Sequence, residues 1–361
     1  MRVLHVNAGL EDGGGLTHIV SLLKGMPHRE VSLLVFAEGP VAKAARAANI
    51  DVMVLQYANR YNPKALREIL QVIADGHFDI VHAHGARAVF FLRLIQHKIK
   101  AKVVATVHSD PLLDFMHRGL PGKIFTQLYI RSLRHFDHLY AVSSPFYTRL
   151  QSFGIPDAHL TLILNGIDFQ ADVPAPVAHT GLHMLYVARL QPVKNHALLL
   201  NALHQLERTD WHLTLVGDGP EKANLQAQIQ ALHLEDHVKL AGFMRPEAIS
   251  QLYPRTDLAV LTSISESFPL VLLEAANYAV PILSADVGDV PKLIANPSLG
   301  YLFKQGNQGA LVTQLHQAFA DWGSGQLLTK GQNVRAYAMA HFTLTKLRAQ
   351  LWDSYRQLLA E

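Results

Sequence analysis

The chain has 361 residues, enough for two domains that each bury a core, and 49% of them are apolar. It has no cysteine, which excludes disulfides and cysteine-ligated zinc or iron–sulfur sites and fits a reducing compartment. The net charge of +3 is unevenly spread: residues 87–136 carry nine Lys/Arg against Asp110 and Asp114, a balance of +7 that leaves −4 (3 − 7) for the rest. Such a local excess is either a solvated face or a match for an anionic surface or substrate.

Met1-Arg2-Val3-Leu4-His5-Val6-Asn7 is too short in its apolar run for a signal peptide and reads as a first strand. From there apolar, β-branched runs alternate with segments of helical period, the pattern of a parallel α/β sheet. The first half predicts strands at Val3–Asn7, Val31–Ala37, Asp51–Gln56, Ile80–Ala83, Lys102–Val107, His138–Val142 and Leu160–Leu164. Helices are expected between them, among others at Leu16–Gly25, Pro63–Ala74 and Lys123–Phe136. Gly13-Gly14-Gly15 after the first strand lets the backbone approach a ligand at a helix start. The dinucleotide fingerprint G-x-G-x-x-G is absent, which argues against an NAD enzyme.

The fourth strand runs into His82-Ala83-His84-Gly85, where the i, i+2 spacing is taken to turn the two imidazoles to opposite faces, too far apart for one metal. Most of the 21 histidines are expected to be ordinary surface or satisfied core residues. In the helix Lys123–Phe136, Lys123, Gln127, Arg131 and Arg134 fall on one side and Phe125, Tyr129, Leu133 and Phe136 on the other. This is a core helix with a solvated basic face, or a reader of anionic headgroups or a lipid diphosphate through Lys123, Arg131 and Arg134.

Phe169 to Gly181, rich in proline and without period, reads as a linker. The alternation then restarts, with strands near His183–Val187, His212–Val216, Val238–Ala241, Leu258–Thr262 and Pro281–Ser284. Arg189 and Lys194 follow the first of these, and Glu266-Ser267-Phe268-Pro269-Leu270-Val271-Leu272-Leu273-Glu274 follows the fourth. A helix N-terminus there offers unpaired N–H groups and a positive dipole end to a phosphate. Two cations would neutralise a diphosphate, and a carboxylate would accept hydrogen bonds from sugar hydroxyls. No Asp-x-Asp motif stands at a strand end, so neither a metal nor another cofactor is expected, and no nucleic-acid partner. The last segment, Leu344–Leu359, is amphipathic through Leu347, Leu351, Tyr355, Leu358 and Leu359. No run approaches the roughly 20 apolar residues of a membrane span. The expected location is cytoplasmic, at most peripheral at a membrane.

Five further segments join the paired glutamates: Val187-Ala188-Arg189-Leu190-Gln191-Pro192-Val193-Lys194-Asn195, Gly217-Asp218-Gly219-Pro220-Glu221, Gly242-Phe243, Asn165-Gly166-Ile167-Asp168 and the triple glycine. In their order along the chain, over nearly its whole length, they resemble glycosyltransferase family 4 (group 1), retaining transferases of GT-B fold. The resemblance implies an α/β protein of two Rossmann-like domains facing a central cleft. These would be an acceptor-binding domain (1–170), a linker (171–181), a nucleotide-sugar-binding domain (182–342) and a last helix (343–361) crossing back.

It further implies roles. Arg189 and Lys194 would stabilise the leaving diphosphate, with Glu266 beside the donor sugar and Glu274 on the ribose. Ser267, Phe268 and Leu270 would meet the phosphates through backbone N–H groups, Gly14 and Gly15 would lie beside phosphates and acceptor, and Met244 near the base. His108, in Thr106-Val107-His108, would contact the donor sugar as a neutral hydrogen-bonding group, and Asp110 would orient the acceptor. Val287 to Ile294 resembles the family's G-G-x-x-E-x-I stretch but carries Asp289 and Lys292 where it has Gly and Glu. The implied reaction moves a hexose from a nucleotide-sugar, by default a UDP-sugar, to a glycan or lipid-linked glycan of an exopolysaccharide, capsule or envelope polymer. The rival readings are a 2-epimerase of UDP-N-acetylglucosamine on the same fold and a non-catalytic partner subunit.

Overall fold

A computed structural model of the protein describes residues 1–10, 14–27, 29–55, 63–112 and 119–361. The chain forms two compact units, residues 1–166 with 344–361, and residues 167–343.

The first unit is built on a parallel sheet of β1 (Val3–Asn7), β2 (Val31–Val35), β3 (Val52–Val54), β4 (Ile80–His84), β5 (Lys102–Val107), β6 (His138–Ala141) and β7 (Leu160–Leu162). Its strand order is β3-β2-β1-β4-β5-β6-β7. Helices α1 (Gly14–Lys24), α2 (Pro40–Ala47), α3 (Pro63–Gly76), α4 (Ala86–Ile95), α5 (Gly119–Leu133) and α6 (Ser144–Ser152) connect the strands. Every residue of β1, β2 and β4 is buried, as a parallel sheet covered on both faces requires. Strand order reverses between β1 and β4, so ligands of this unit are expected beyond the carboxyl ends of those strands.

The second unit repeats the plan. β8 (Leu182–Val187), β9 (Trp211–Val216), β10 (Val238–Gly242), β11 (Leu258–Leu261), β12 (Ile282–Ala285) and β13 (Tyr301–Phe303) take the order β10-β9-β8-β11-β12-β13, reversing between β8 and β11. Its helices are α7 (His196–Gln205), α8 (Lys222–Ala231), α9 (Pro246–Ser250), α10 (Leu270–Asn277), α11 (Val290–Leu293), α12 (Gln308–Gly323) and α13 (Gln326–His341).

The last helix, α14 (Leu344–Ala360), belongs to the first unit. Leu344, Leu347, Leu351, Tyr355 and Leu358 join the core around Val3, Leu33 and Ile80. The Arg348 guanidinium donates to the carbonyls of Leu22 (3.0 Å) and Ser21 (2.6 Å), capping the free end of α1.

The structure draws the boundary between the units after Gly166, and residues 171–181 belong to the second unit. The Gln170 N–H donates to Asn277 Oδ1 (2.9 Å), Arg335 Nη2 donates to the Gln170 carbonyl (2.6 Å), and the Val177 N–H to the Pro254 carbonyl (2.8 Å). Prolines end secondary structure there without preventing the backbone from packing.

Candidate active site

The second unit concentrates charge where its strand order reverses. The loop leaving β8 carries Arg189 and Lys194, and the glycines of the next strand's loop fix its path. Gly217 and Gly219 have φ of +143° and +155°, and an added Cβ would lie 1.9 Å from the Ala188 carbonyl oxygen and 2.3 Å from that of Leu190. The Leu190 N–H donates to the Asp218 carbonyl (2.9 Å) and the Glu221 N–H to that of Leu190 (3.0 Å). Arg189 between them is exposed, and among the described residues its guanidinium has no hydrogen-bonding or ionic partner.

Lys194 ends a 3-10 turn over Pro192–Lys194, and Asn195 (φ +51°) then opens α7. Buried Tyr186, whose phenol burial pushes up to about 12, donates to the Lys194 carbonyl at 2.5 Å. The Ile264 N–H donates to the Val193 carbonyl (2.7 Å), tying the loop after β11 to the loop after β8. Across this join Lys194 Nζ meets Glu266 Oε1 at 2.5 Å, and Ser263 Oγ donates to the same oxygen at 2.6 Å. Burial and the Lys194 charge lower the pKa of neighbouring His196 to about 4, so it is neutral near pH 7 and Lys194 is the cation.

Glu274 lies on α10, where Tyr253 OH donates to its Oε2 (3.4 Å) and burial raises its pKa. Gly288 (φ +57°) backs the Glu266 loop: a Cβ there would come within 2.4 Å of the Glu266 and Ser267 carbonyl oxygens. The Asp289 N–H donates to the Ser267 carbonyl at 2.8 Å. Asp289 also pairs with Lys292 at 3.0 Å, so the two departures from the family pattern compensate each other's charge.

Phe268 is expected to act through its backbone alone. Its side chain is buried and packs on Phe342 (ring centroids 4.9 Å apart), so only its backbone is available to a ligand. Ser267, Leu270 and Met244 are half-buried, and beside Met244 the ring of Phe243 is 76% exposed.

In the first unit, Gly14 and Gly15 open α1, while Gly13 lies outside the described residues. His108 follows β5 directly. His82 and His84 share one face of β4, against the opposite-face expectation, because successive strand residues alternate and residues two apart align. Their rings stack at 4.4 Å and 14°, and His5, paired with His82 in register, stacks on both at 5.0 and 5.1 Å. The ligand nitrogens of His5, His82 and His84 lie within 4.8 Å of one another. Near-parallel rings send their lone pairs side by side instead of to one point, the wrong set for a shared ion. The nitrogens instead bond to neighbours: His5 Nδ1 with His84 Nε2 (2.8 Å), His84 Nδ1 with His108 Nε2 (3.0 Å), and His82 Nε2 with Thr106 Oγ1 (2.7 Å). His82 Nδ1 meets the Tyr355 hydroxyl. Burial holds all four imidazoles well below their ordinary pKa, with His5 lowered to about 3. His18 stands edge-on to His108 and bonds Asn165 Oδ1 at 3.1 Å.

Asp110 is already engaged, accepting from the Leu112 N–H (2.9 Å) and pairing with Arg149 (3.3 Å). Lys123 and Arg131 are exposed on α5 and Arg134 in the turn after it, where Arg134 Nε donates to the Phe153 carbonyl at 2.6 Å. The helix starts at Gly119, earlier than its basic period indicates, and a second apolar row goes to solvent: Leu120 (76% exposed), Ile124 (62%) and Leu128 (47%). Their i, i+4, i+8 spacing was readable in the sequence.

A cavity of about 360 Å³ lies elsewhere in the second unit, at the amino end of β11 beside Asp257 and Tyr253.

Two family models match successive parts of the chain: Glycosyltransferase Family 4 over residues 12–171 and Glycosyl transferases group 1 over residues 173–335. The chain belongs to this family. It is similar to the N-acetyl-alpha-D-glucosaminyl L-malate synthase of Bacillus anthracis, 26% identical over 86% of this chain and 84% of that one. It is also similar to the lipopolysaccharide 1,6-galactosyltransferase of Escherichia coli K12, 29% identical over 51% of this chain and 53% of the relative. Among solved structures, Anabaena Alr3699/HepE in complex with UDP superposes with a TM-score of 0.85 at 22% identity, covering 99% of this chain and 100% of that one. A glycosyltransferase of Rickettsia africae ESF-5 gives 0.83 at 19% identity, covering 99% and 98%. The fold is therefore GT-B, two Rossmann-like units with flanking helices, and the protein is a glycosyltransferase. Among the described residues no helix of this family 4 transferase is long and apolar enough to cross a membrane.

Proposed function

We propose that this glycosyltransferase moves a hexose from a UDP-sugar, with retention of configuration, to a glycan or lipid-linked glycan in exopolysaccharide, capsule or envelope polysaccharide synthesis. The observation that carries the reading is the Lys194–Glu266 pair held across the β8/β11 reversal, with Arg189 unpaired beside it. Arg189 and Lys194 neutralise the charge developing on the departing diphosphate, and the N-terminus of α10 adds its dipole. Glu266 holds Lys194 through one oxygen and turns the other to the sugar. Glu274 takes the ribose hydroxyls, and the exposed ring of Phe243 offers the base a stacking face. His108 serves as a neutral hydrogen-bonding group for the sugar. Structures of HepE with UDP and with UDP-glucose, and relatives named as a lipopolysaccharide 1,6-galactosyltransferase and an amylovoran biosynthesis glycosyltransferase, support the donor and acceptor classes.

The test is a hydrolysis screen of UDP- and GDP-sugars, repeated with lipid-linked acceptors on the best donor. With two cations and a helix terminus on the diphosphate, turnover is expected to persist in excess EDTA with at most a modest loss. Complete, metal-rescuable inactivation would show that the leaving group is neutralised by an ion instead.

The α5 surface adds a second element to the reading: the protein docks on anionic membranes. Exposed Leu120, Ile124 and Leu128 suit the headgroup–acyl boundary, and Lys123 and Arg131 the anionic headgroups. Each cation near such a surface contributes on the order of 1 kcal/mol. The protein is expected to sediment with anionic liposomes at low salt and not with neutral ones. Replacing Lys123, Arg131 and Arg134 with Gln weakens this and spares hydrolysis of the soluble donor. Wild-type protein that ignores anionic liposomes at low ionic strength would leave the face merely solvated.

A further inference from the structure

Three histidines of the first unit, buried His5 and His84 and half-buried His108, form a directional chain. His5 Nδ1 bonds His84 Nε2 at 2.8 Å, and His84 Nδ1 bonds His108 Nε2 at 3.0 Å. Each ring is neutral, because burial among other imidazoles disfavours a charge, so each carries one ring proton. Two bonds linking three such rings force all the protons to point the same way along the chain. The direction is set at the far end. His5 Nε2 is fully buried and has no hydrogen-bond partner among the described residues. An orphaned donor inside a protein is rarer than an under-used acceptor. The proton of His5 therefore sits on Nδ1, His84 passes its own from Nδ1 to His108 Nε2, and His108 is left with its proton on Nδ1.

We infer that His5 and His84 are positioning residues that lock His108 in its Nδ1–H tautomer, so that it presents an N–H donor to an oxygen of the sugar and cannot serve there as a base. The clause on the sugar rests on the proposed contact of His108 with the donor; the tautomer itself does not. The assignment is unusual, since a free histidine side chain in water prefers its proton on Nε2. His82 lies in the same stack but is held separately by Thr106 and Tyr355, so it is outside the chain.

The test reads the tautomer directly, by long-range ¹H–¹⁵N correlation on full-length protein labelled with ¹⁵N-histidine. His108 is assigned by the signals lost in His108→Gln. Wild-type protein is expected to show a protonated Nδ1 and a bare Nε2 on His108. His84→Phe keeps a planar ring in the stack but removes both nitrogens. In it the His108 proton is expected to move to Nε2 and donor turnover to fall about tenfold, the weight of one neutral hydrogen bond, with the donor KM little changed. His84→Asn, whose amide still donates toward His108, should restore the wild-type tautomer and most of the turnover. An Nε2–H tautomer in wild-type protein overturns the assignment, as does an unchanged tautomer in folded His84→Phe. Should His84→Phe not fold, the wild-type spectrum still decides. Wild-type turnover in His108→Gln would refute the sugar contact alone, leaving the spectrum to judge the chain.

Discussion

Arg189→Ala and Lys194→Ala are each expected to cut turnover by roughly 100-fold or more, the usual cost of removing a charged group aimed at developing negative charge. The two variants should differ in stability. Arg189 is exposed and unpartnered among the described residues, so its removal takes nothing from the fold. Lys194 pairs with Glu266, whose side chain is only 11% exposed, and its loss leaves that carboxylate with Ser263 Oγ as its remaining side-chain partner among the described residues. Lys194→Ala is therefore expected to melt somewhat lower than wild type. Adding Glu266→Gln should recover that stability without recovering turnover, since residues in contact are not additive. Steady-state rates on purified variants, with melting curves beside them, check both halves. Wild-type turnover in either folded single variant would remove that residue from the mechanism.

Gly217→Ala is expected to destabilise the second unit by about 3 kcal/mol, combining the backbone strain of a positive φ with overpacking against a rigid neighbour. The φ of +143° disfavours any side chain, and the new Cβ would lie 1.9 Å from the Ala188 carbonyl oxygen. Backbone, not a flexible side chain, must move, and the loop that moves carries Arg189. For a unit of this size the shift is about 6–12 °C in its melting temperature. Differential scanning calorimetry should show the transition of the second unit lowered and that of the first unchanged. A wild-type thermogram would mean that the Gly217 loop is not held against Ala188.

The alternating pattern of the sequence made most of the parallel strands legible, because β-branched runs such as Lys102–Val107 stand between clear helical periods. β13 escaped because Tyr301–Phe303 has no β-branched residue, whereas the equally short β3 and β7 lie in runs that carry Val, Thr or Ile. The charged site was legible for a different reason. Arg189, Lys194 and Glu266 stand in the loops that leave predicted strands, and Glu274 in the helix that follows one, so the topology alone sends them toward the strand ends. The packing of the Phe268 side chain was not: nothing in its own segment announces the ring of Phe342 that buries it. For the histidines, the spacing of His82 and His84 does encode a shared face. Their bonds to His5 and Tyr355, 79 and 273 positions away in sequence, are tertiary facts that no local pattern carries.

The central claim is that a nucleotide-sugar loses its sugar, with retention, to a site built on Arg189, Lys194 and Glu266. The most direct measurement is proton NMR of the sugar first released when the protein turns over an α-linked UDP-hexose, with Arg189→Ala as control. The account predicts release of UDP together with the α anomer, formed before mutarotation, and no release above background by the variant. Initial release of the β anomer, or equal release by Arg189→Ala, would contradict it.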